Sequence, residues 1–197
     1  MAVDVPLSPR LSQAFFNRPT VQVARDLLGA QLVHIENGTR LAGTIIETEA
    51  YVGEADLGCH AKAGRTPRTA VMYGPPGRAY VYFTYGMHWL FNCITEEEGF
   101  PAAVLIRAMD PTDGVEIMAR RRGSRPRREW TNGPAKLTQA LGIGSAQNAL
   151  DLCAPDSSLF LEPGEPIPDE RVTTTPRVGL YTVPEPWKSI PWRFLAR

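Results

Sequence analysis

Two carboxylates and a phenol occupy alternate positions of one segment, "IIETEAY", residues 45–51. In a strand, successive side chains point to opposite faces, so Glu47, Glu49 and Tyr51 share one side. Such a face can be plain solvated surface. It can equally be a reaction centre, because a carboxylate held against apolar surroundings has its proton affinity raised by desolvation and acts as a general base toward water. The segment runs into a long glycine-rich stretch, and a carboxylate at a strand end beside a loop is well placed for function. Within that stretch, "LGCHAKAGRTPR" (57–68) brings His60 next to Cys59 and Asp56. With the two glutamates these residues have metal-ligand chemistry, but there is no CxxC pair and no HExxH motif, and no metal or other cofactor is expected. Lys62, Arg65 and Arg68 bring three cations into the same loop, which is then either solvated or in contact with phosphate.

A third cluster is aromatic. In "YVYFTYGMHWLFN" (80–92), Tyr80, Tyr82 and Thr84 fall on one strand face, and Val81, Phe83 and Tyr85 on the other. Rings in a strand are usually core, and Tyr80 and Phe83 are read that way. Tyr85 is not. It precedes Gly86, which can supply the positive φ of a tight turn, so its ring sits at or near a hairpin tip where no core can cover it. Side chains that enter DNA between base steps need such a position, and enzymes acting on a base within a duplex rotate it into a pocket with aromatic walls. "ARRRGSRPRRE" (119–129) holds six arginines, either a solvated loop or a phosphate-engaging one with strong salt dependence. "NGPAK" (132–136) opens a helix, and helix N-termini bind anions through free N–H groups.

These residues must be held by a definable set of elements. Val21, Ala24, Leu27 and Leu28 stripe a helix over 19–29 with Gly29 as its stop. Strands over 31–35 and 39–51 flank Asn37-Gly38, a strong hairpin signal. Residues 52–78 lack periodicity and read as a long loop, either functional or disordered. After the aromatic hairpin comes a buried strand, 102–111, then a helix over 112–122 capped by Thr112 or Asp113. Another helix spans 131–143, with Pro134 in its first turn and Gly142 after its last. The sum is a single-domain α+β protein. It has a curved antiparallel sheet or partly open β-barrel-like core, surrounding helices and a protruding β-hairpin. Residues 1–9 and about 120–130 are expected to be flexible.

The composition agrees with a globular chain: 197 residues, 43% hydrophobic and 21% charged. Seventeen glycines and 18 prolines argue against a helical bundle. A net charge of zero gives no overall attraction to nucleic acid, so any such binding must come from how the charges are distributed. Three cysteines cannot all pair within one chain, and no signal peptide or membrane-length apolar run is apparent. A cytoplasmic monomer, not bound to membrane, is expected.

Taken together, "RLSQAFFNRPTVQVARDLLGAQLV", "IIETEAYVG", "CHAKAGRTPR", "YVYFTYGMHWLFN", "VLIRAMDP" and "NGPAKLTQALGI" resemble the alkyladenine (3-methyladenine) DNA glycosylases, in order from about residue 10 to the C-terminus. The resemblance implies a monofunctional base-excision-repair enzyme acting on double-stranded DNA that contains damaged purines. Its substrates would include 3-methyladenine, 7-methylguanine, hypoxanthine and ethenoadenine. It implies Glu49 as the general base for water, and Arg107, in "LIRA", as the arginine holding the phosphate or sugar on the water side. Tyr51 would stack on one face of the flipped base, with His60 and Tyr82 completing the sandwich. Asn92 would crowd the exocyclic amine of guanine, and Tyr85 would enter the duplex. Arg65, Arg68 and Lys136 would touch backbone phosphates. Two other readings stand beside it. One is a metal-dependent nuclease or phosphoesterase using Glu47, Glu49, Asp56 and His60. The other is a DNA-damage binder without catalysis.

Overall fold

Asn37 and Gly38, at φ of 50° and 76°, turn strand β1 (Gln31–Glu36) into β2 (Thr39–Val52) in a computed structural model that describes residues 10–197. The expected flexible segment 1–9 lies outside the described residues. A second hairpin joins β3 (Ala79–Thr84) to β4 (His88–Ile94), and β5 (Ala102–Asp113) follows it. With β6 (Leu159–Glu162), β7 (Val172–Thr175) and β8 (Arg193–Ala196) they form one open antiparallel sheet of eight strands. The order is β3-β4-β5-β2-β1-β6, with β8 bridging β2 and β7. The long β2 lies in the middle, paired along one side with β5 and shared on the other between β1 and β8.

Four short helices cover one face of the sheet. They are α1 (Gln13–Phe16), α2 (Thr20–Asp26), α3 (Val115–Arg122) and α4 (Pro134–Leu141). The apolar stripe of α2 buries Val23 and Ala24, with Leu27 and Leu28 just beyond, and the chain leaves through Gly29 at φ +90°. Nothing larger fits there, since a Cβ on Gly29 would lie 2.1 Å from the Glu165 carbonyl oxygen. Pro134 opens α4 and Gly142, left-handed, closes it, as the sequence implied.

The expected cap of α3 is not formed. Thr112 and Asp113 still belong to β5, and left-handed Gly114 (φ 69°) makes the corner into the helix without a side-chain cap. The strand wins because Ala42 of β2 pairs as far as Asp113. Over 120–130, the last turn of α3 is followed by a short 3-10 turn, Arg127–Glu129. There the Trp130 indole donates to the Arg125 carbonyl and Arg127 donates to that of Pro111.

Period-2 alternation divides the sheet between two jobs. Ala50, Ala79, Val81, Phe91, Cys93, Val104 and Ile106 face the helices and join Phe16, Leu27, Leu32 and Leu141 in the main core. Their neighbours in sequence face the other way. Glu49 stands opposite Leu105, Leu105 opposite Asn92, and Asn92 opposite Tyr80, a single row across four strands. That second face is floored by a smaller cluster of Cys59, Ala61, Met72, Tyr80, Ile94 and Ala103.

Candidate active site

The carboxylate at the head of this row is fully buried and held by three donors. Glu49 Oε2 accepts from the Tyr51 hydroxyl (2.8 Å) and from Arg107 Nη1 (3.2 Å), and Oε1 accepts from the Val178 backbone N–H (2.7 Å). A carboxylate offers about four lone-pair sites, so three donors leave roughly one for a water. Arg107 reaches Glu49 because the β2–β5 ladder is irregular here: Glu47 pairs with Ala108 and Thr48 with Ile106, so Arg107 is skipped. Such a bulge re-aims a side chain. The guanidinium also donates through Nε to Glu47 (2.7 Å), which takes a second arginine, Arg193, at 2.7 Å. Burial opposes the charge on Arg107, but Glu49 and Glu47 outweigh it and raise its pKa above the ordinary guanidinium value. Burial, then the charge and hydrogen bond of Glu49, push the Tyr51 phenol well up, so it stays a donor.

The three groups that hold this carboxylate, Tyr51, Arg107 and Val178, line a cavity of about 350 Å3, within the range of small-ligand sites, although Glu49 itself does not. Tyr51, His60, Tyr82, Asn92 and Arg107 all line it, with Tyr85 at its mouth. The His60 and Tyr82 rings stand edge to face, 4.6 Å between centroids, and so form one wall together; no planar base fits between them. His60 follows a cysteine cap, where Cys59 Sγ accepts from the Ala61 N–H, and its Nδ1 lies 3.1 Å from the Tyr80 hydroxyl. Burial, reinforced by the charges of Arg68 and Lys62, lowers its pKa to about 4. The ring is therefore neutral at pH 7. Asn92 is buried, and its amide donates to the Tyr80 carbonyl (3.0 Å), which fixes the side chain at the cavity floor.

The hairpin tip is the opposite of this interior. Tyr85 is 86% exposed and Met87 67%. Tyr85 itself, not only Gly86, has positive φ (52° and 66°). Phe83, expected in the core, is 44% exposed. It falls on the face that would meet helices, but β3 is the edge strand and α4 packs over β4 and β5, so its ring rests on Trp89 instead (4.8 Å). The predicted cations surround the tip unevenly. Arg68 lies over the Tyr82 ring (5.1 Å) and donates to the Phe83 carbonyl, and Arg65 lies over Tyr73 (5.7 Å). Lys136, on α4, donates to Asn132 (2.8 Å) and shares a surface depression with His88 and Arg122. Pro134, at the start of that helix, belongs to both the depression and the main cavity.

The metal reading loses its ligands here. Asp56 is bound to Arg177 on both oxygens and Glu47 to two arginines. No group of three or more metal-ligating acidic, histidine or cysteine side chains comes together among the described residues. No helix among them is long and apolar enough to cross a membrane.

Sequence reasoning missed "RVGL", 177–180. Val178 holds Glu49 through its backbone, Val178, Gly179 and Leu180 line the cavity, and Arg177 lies buried behind. The only visible signal was an arginine-to-glycine step between two proline-rich stretches; a main-chain donor leaves no mark in residue types.

Residues 14–197 match the family model described as methylpurine-DNA glycosylase. Among curated relatives, a Myxococcus xanthus protein is 46% identical over 187 residues, covering 95% of this chain and 90% of its own. A Carboxydothermus hydrogenoformans protein is 46% identical, covering 93% of each chain, and one from Chlorobaculum parvum is 44% identical, covering 93% of this chain and 86% of its own. Each of the three carries the provisional name 3-methyladenine DNA glycosylase.

Proposed function

Because this chain belongs to the methylpurine-DNA glycosylase family, a family of monofunctional enzymes of DNA repair that act on N-glycosyl bonds, we propose that it releases alkylated and deaminated purines from duplex DNA by flipping the nucleotide and attacking the sugar with a water activated by Glu49. The observation that supports this best is a buried carboxylate with three fixed donors and room for about one more. Its three donors line an aromatic-walled cavity beneath an exposed ring.

Breaking the bond develops oxocarbenium character on the sugar, and Glu49 both steadies that charge and takes the proton of water. Arg107 and the Val178 N–H keep the carboxylate pointed at the reaction. Tyr51 faces one side of the flipped purine, and His60 with Tyr82 the other, as the notion of a single shared wall requires. Asn92 closes the floor against the exocyclic amine of guanine. Tyr85 fills the gap left in the stack. Arg65, Arg68 and Lys136 hold phosphates on either side. Purines alkylated at N3 or N7 carry positive charge and leave without a strong acid. No lysine lines the cavity, so a Schiff base and strand cleavage are not expected.

The test is release of base from duplexes holding 3-methyladenine, hypoxanthine or ethenoadenine, with EDTA present. Release that leaves an uncut, alkali-labile abasic site supports the reading. Binding of all three lesions without release of any would favour a damage binder.

A further inference from the structure

We propose that Arg177 is a positioning residue for base excision, holding Glu49 and Tyr51 in place through a buried pair with Asp56. The proposal rests on the glycosylase reading and adds to it a residue and a route of action.

The pair is the most enclosed one among the described residues, with both side chains at 0% exposure. It ties residues 50–58 to residues 177–187, with the paired side chains 121 positions apart in sequence. Asp56 Oδ1 accepts from the Gly58 N–H (2.9 Å) and Arg177 Nη2 (2.8 Å); Oδ2 accepts from the Val52 N–H (3.1 Å) and Arg177 Nη1 (2.5 Å). Nη1 also donates to the Ala50 carbonyl (2.9 Å), and Nη2 to that of Trp187 (3.3 Å). Ala50 and Val52 flank Tyr51, and Gly58 leads into the loop that carries His60. The guanidinium carbon lies 4.6 Å from the centre of the Tyr51 ring and 5.3 Å from that of Trp192. These ring contacts use the arginine's flat faces as well as its donors, and its Nε alone has no partner among the described residues.

The consequence reaches Glu49 through one peptide bond. The residue after Arg177 gives its N–H to Glu49 Oε1 at 2.7 Å. Anchoring the guanidinium fixes that donor, and anchoring Ala50 and Val52 fixes the ring that donates to Oε2. A buried ion pair needed only for stability can often be replaced by apolar side chains. A two-pronged fork that sets the height of a neighbouring amide cannot, because no apolar side chain reproduces its geometry.

Two variants separate positioning from folding. In Gly58→Ala, the new Cβ points into the clamp, 2.7 Å from Leu180 Cδ1 and 2.8 Å from Arg177 Nη2. Both atoms are side-chain ends, so the clash is relieved by displacing Leu180 and the guanidinium rather than the backbone. The second, Asp56→Asn with Arg177→Gln, removes both charges and leaves none unpaired. Single-turnover release of ethenoadenine is measured against pH, along with the affinity for a duplex carrying an abasic-site analogue. The rate is expected to fall roughly 10- to 100-fold, as for a misplacement of about an ångström at a reacting group. The acid limb of the profile moves to higher pH, because a carboxylate that loses a donor is protonated more readily. Affinity for the abasic duplex stays within about threefold, since uniform binding is untouched. Folded variants with an unmoved rate and acid limb overturn the proposal, as does a loss confined to the active fraction with the limb in place. If the unaltered protein releases none of the three purines, the glycosylase reading fails first, and that outcome is visible before any variant is made.

Discussion

Two hairpins of one sheet begin their turns with nearly the same pair of left-handed φ values and differ in loop length and in what stands at the first position. Asn37-Gly38 closes β1 on β2 with φ of 50° and 76°; Tyr85-Gly86 begins the three-residue loop between β3 and β4 with φ of 52° and 66°. At either glycine a Cβ would meet nothing within 4 Å, so both are there for their φ alone. Asparagine tolerates the left-handed region because its short amide bonds locally, whereas a tyrosine held there costs about 1–2 kcal/mol. The first hairpin is what stability selects. The second accepts backbone strain to hold a ring in solvent, and that ring has no role inside the fold. In the function proposed here, that ring acts on something outside the chain.

If the tip meets DNA and the buried row does the chemistry, the two functions must separate on mutation. The largest effect belongs to Glu49→Gln, which keeps size and removes the proton acceptor. Single-turnover excision is expected to fall roughly 10²- to 10⁴-fold, the usual worth of a general base, while lesion-duplex affinity holds. An equal loss of affinity would mean that the carboxylate belongs to the binding surface and would erase the contrast between interior and tip. The converse is Tyr85→Asn, which converts the functional turn into the structural one. Affinity for a lesion duplex should drop by roughly 10- to 100-fold, in line with about 1–3 kcal/mol for stacking one base on an aromatic ring. Retained affinity in a binding titration would leave the exposed ring without a purpose.

How much of this was readable in the chain follows the same division. The two X-Gly turns, the shared face of Glu49 and Tyr51, and the proline-to-glycine span of α4 come from local rules, and each is found in place. What resisted reading is set by distant partners. The irregularity that frees Arg107 depends on the register of β5 against β2. The donor at Val178 lies 129 positions from Glu49 and is main chain, so no residue type advertises it. Rings in a strand are usually core, which holds for Tyr80, but nothing local says that β3 is the edge strand, where Phe83 is left half-exposed. Thr112 and Asp113 look like helix caps until β2 recruits them into a longer strand.

A smaller effect tests the wall of the cavity. His60 has a folded-state pKa lowered from its ordinary 6.5 to about 4, by burial and then by Arg68 and Lys62. Above pH 6.5 the ring is neutral both folded and unfolded, and contributes no pH dependence. As pH falls from 6.5 toward 4, the unfolded chain takes up a proton that the folded protein refuses, so stability is lost across that window. The His60 ring resonances should therefore stay at their neutral positions at pH 5.5 in an NMR titration. Excision should show no step near pH 6.5 from this residue. A His60 midpoint at its ordinary value would place the ring in solvent and remove it from the wall.

The smallest expected effect returns to the two turns and is the most discriminating. Tyr85→Asn should raise folding stability by up to about 1 kcal/mol, because the left-handed strain is relieved and little packing is lost from a ring 86% exposed. Asn37→Tyr should lower stability by about the same amount, through the strain it introduces, and leave excision unchanged. Urea unfolding of both variants measures the pair, with equal m-values required for the comparison to hold. Opposite shifts of similar size would mean that the turns are interchangeable backbones and that the tyrosine is kept at the expense of stability. Loss of stability in both would mean that the Tyr85 ring packs on its own hairpin, against Phe83 or Met87, and the argument from its exposure would have to be abandoned.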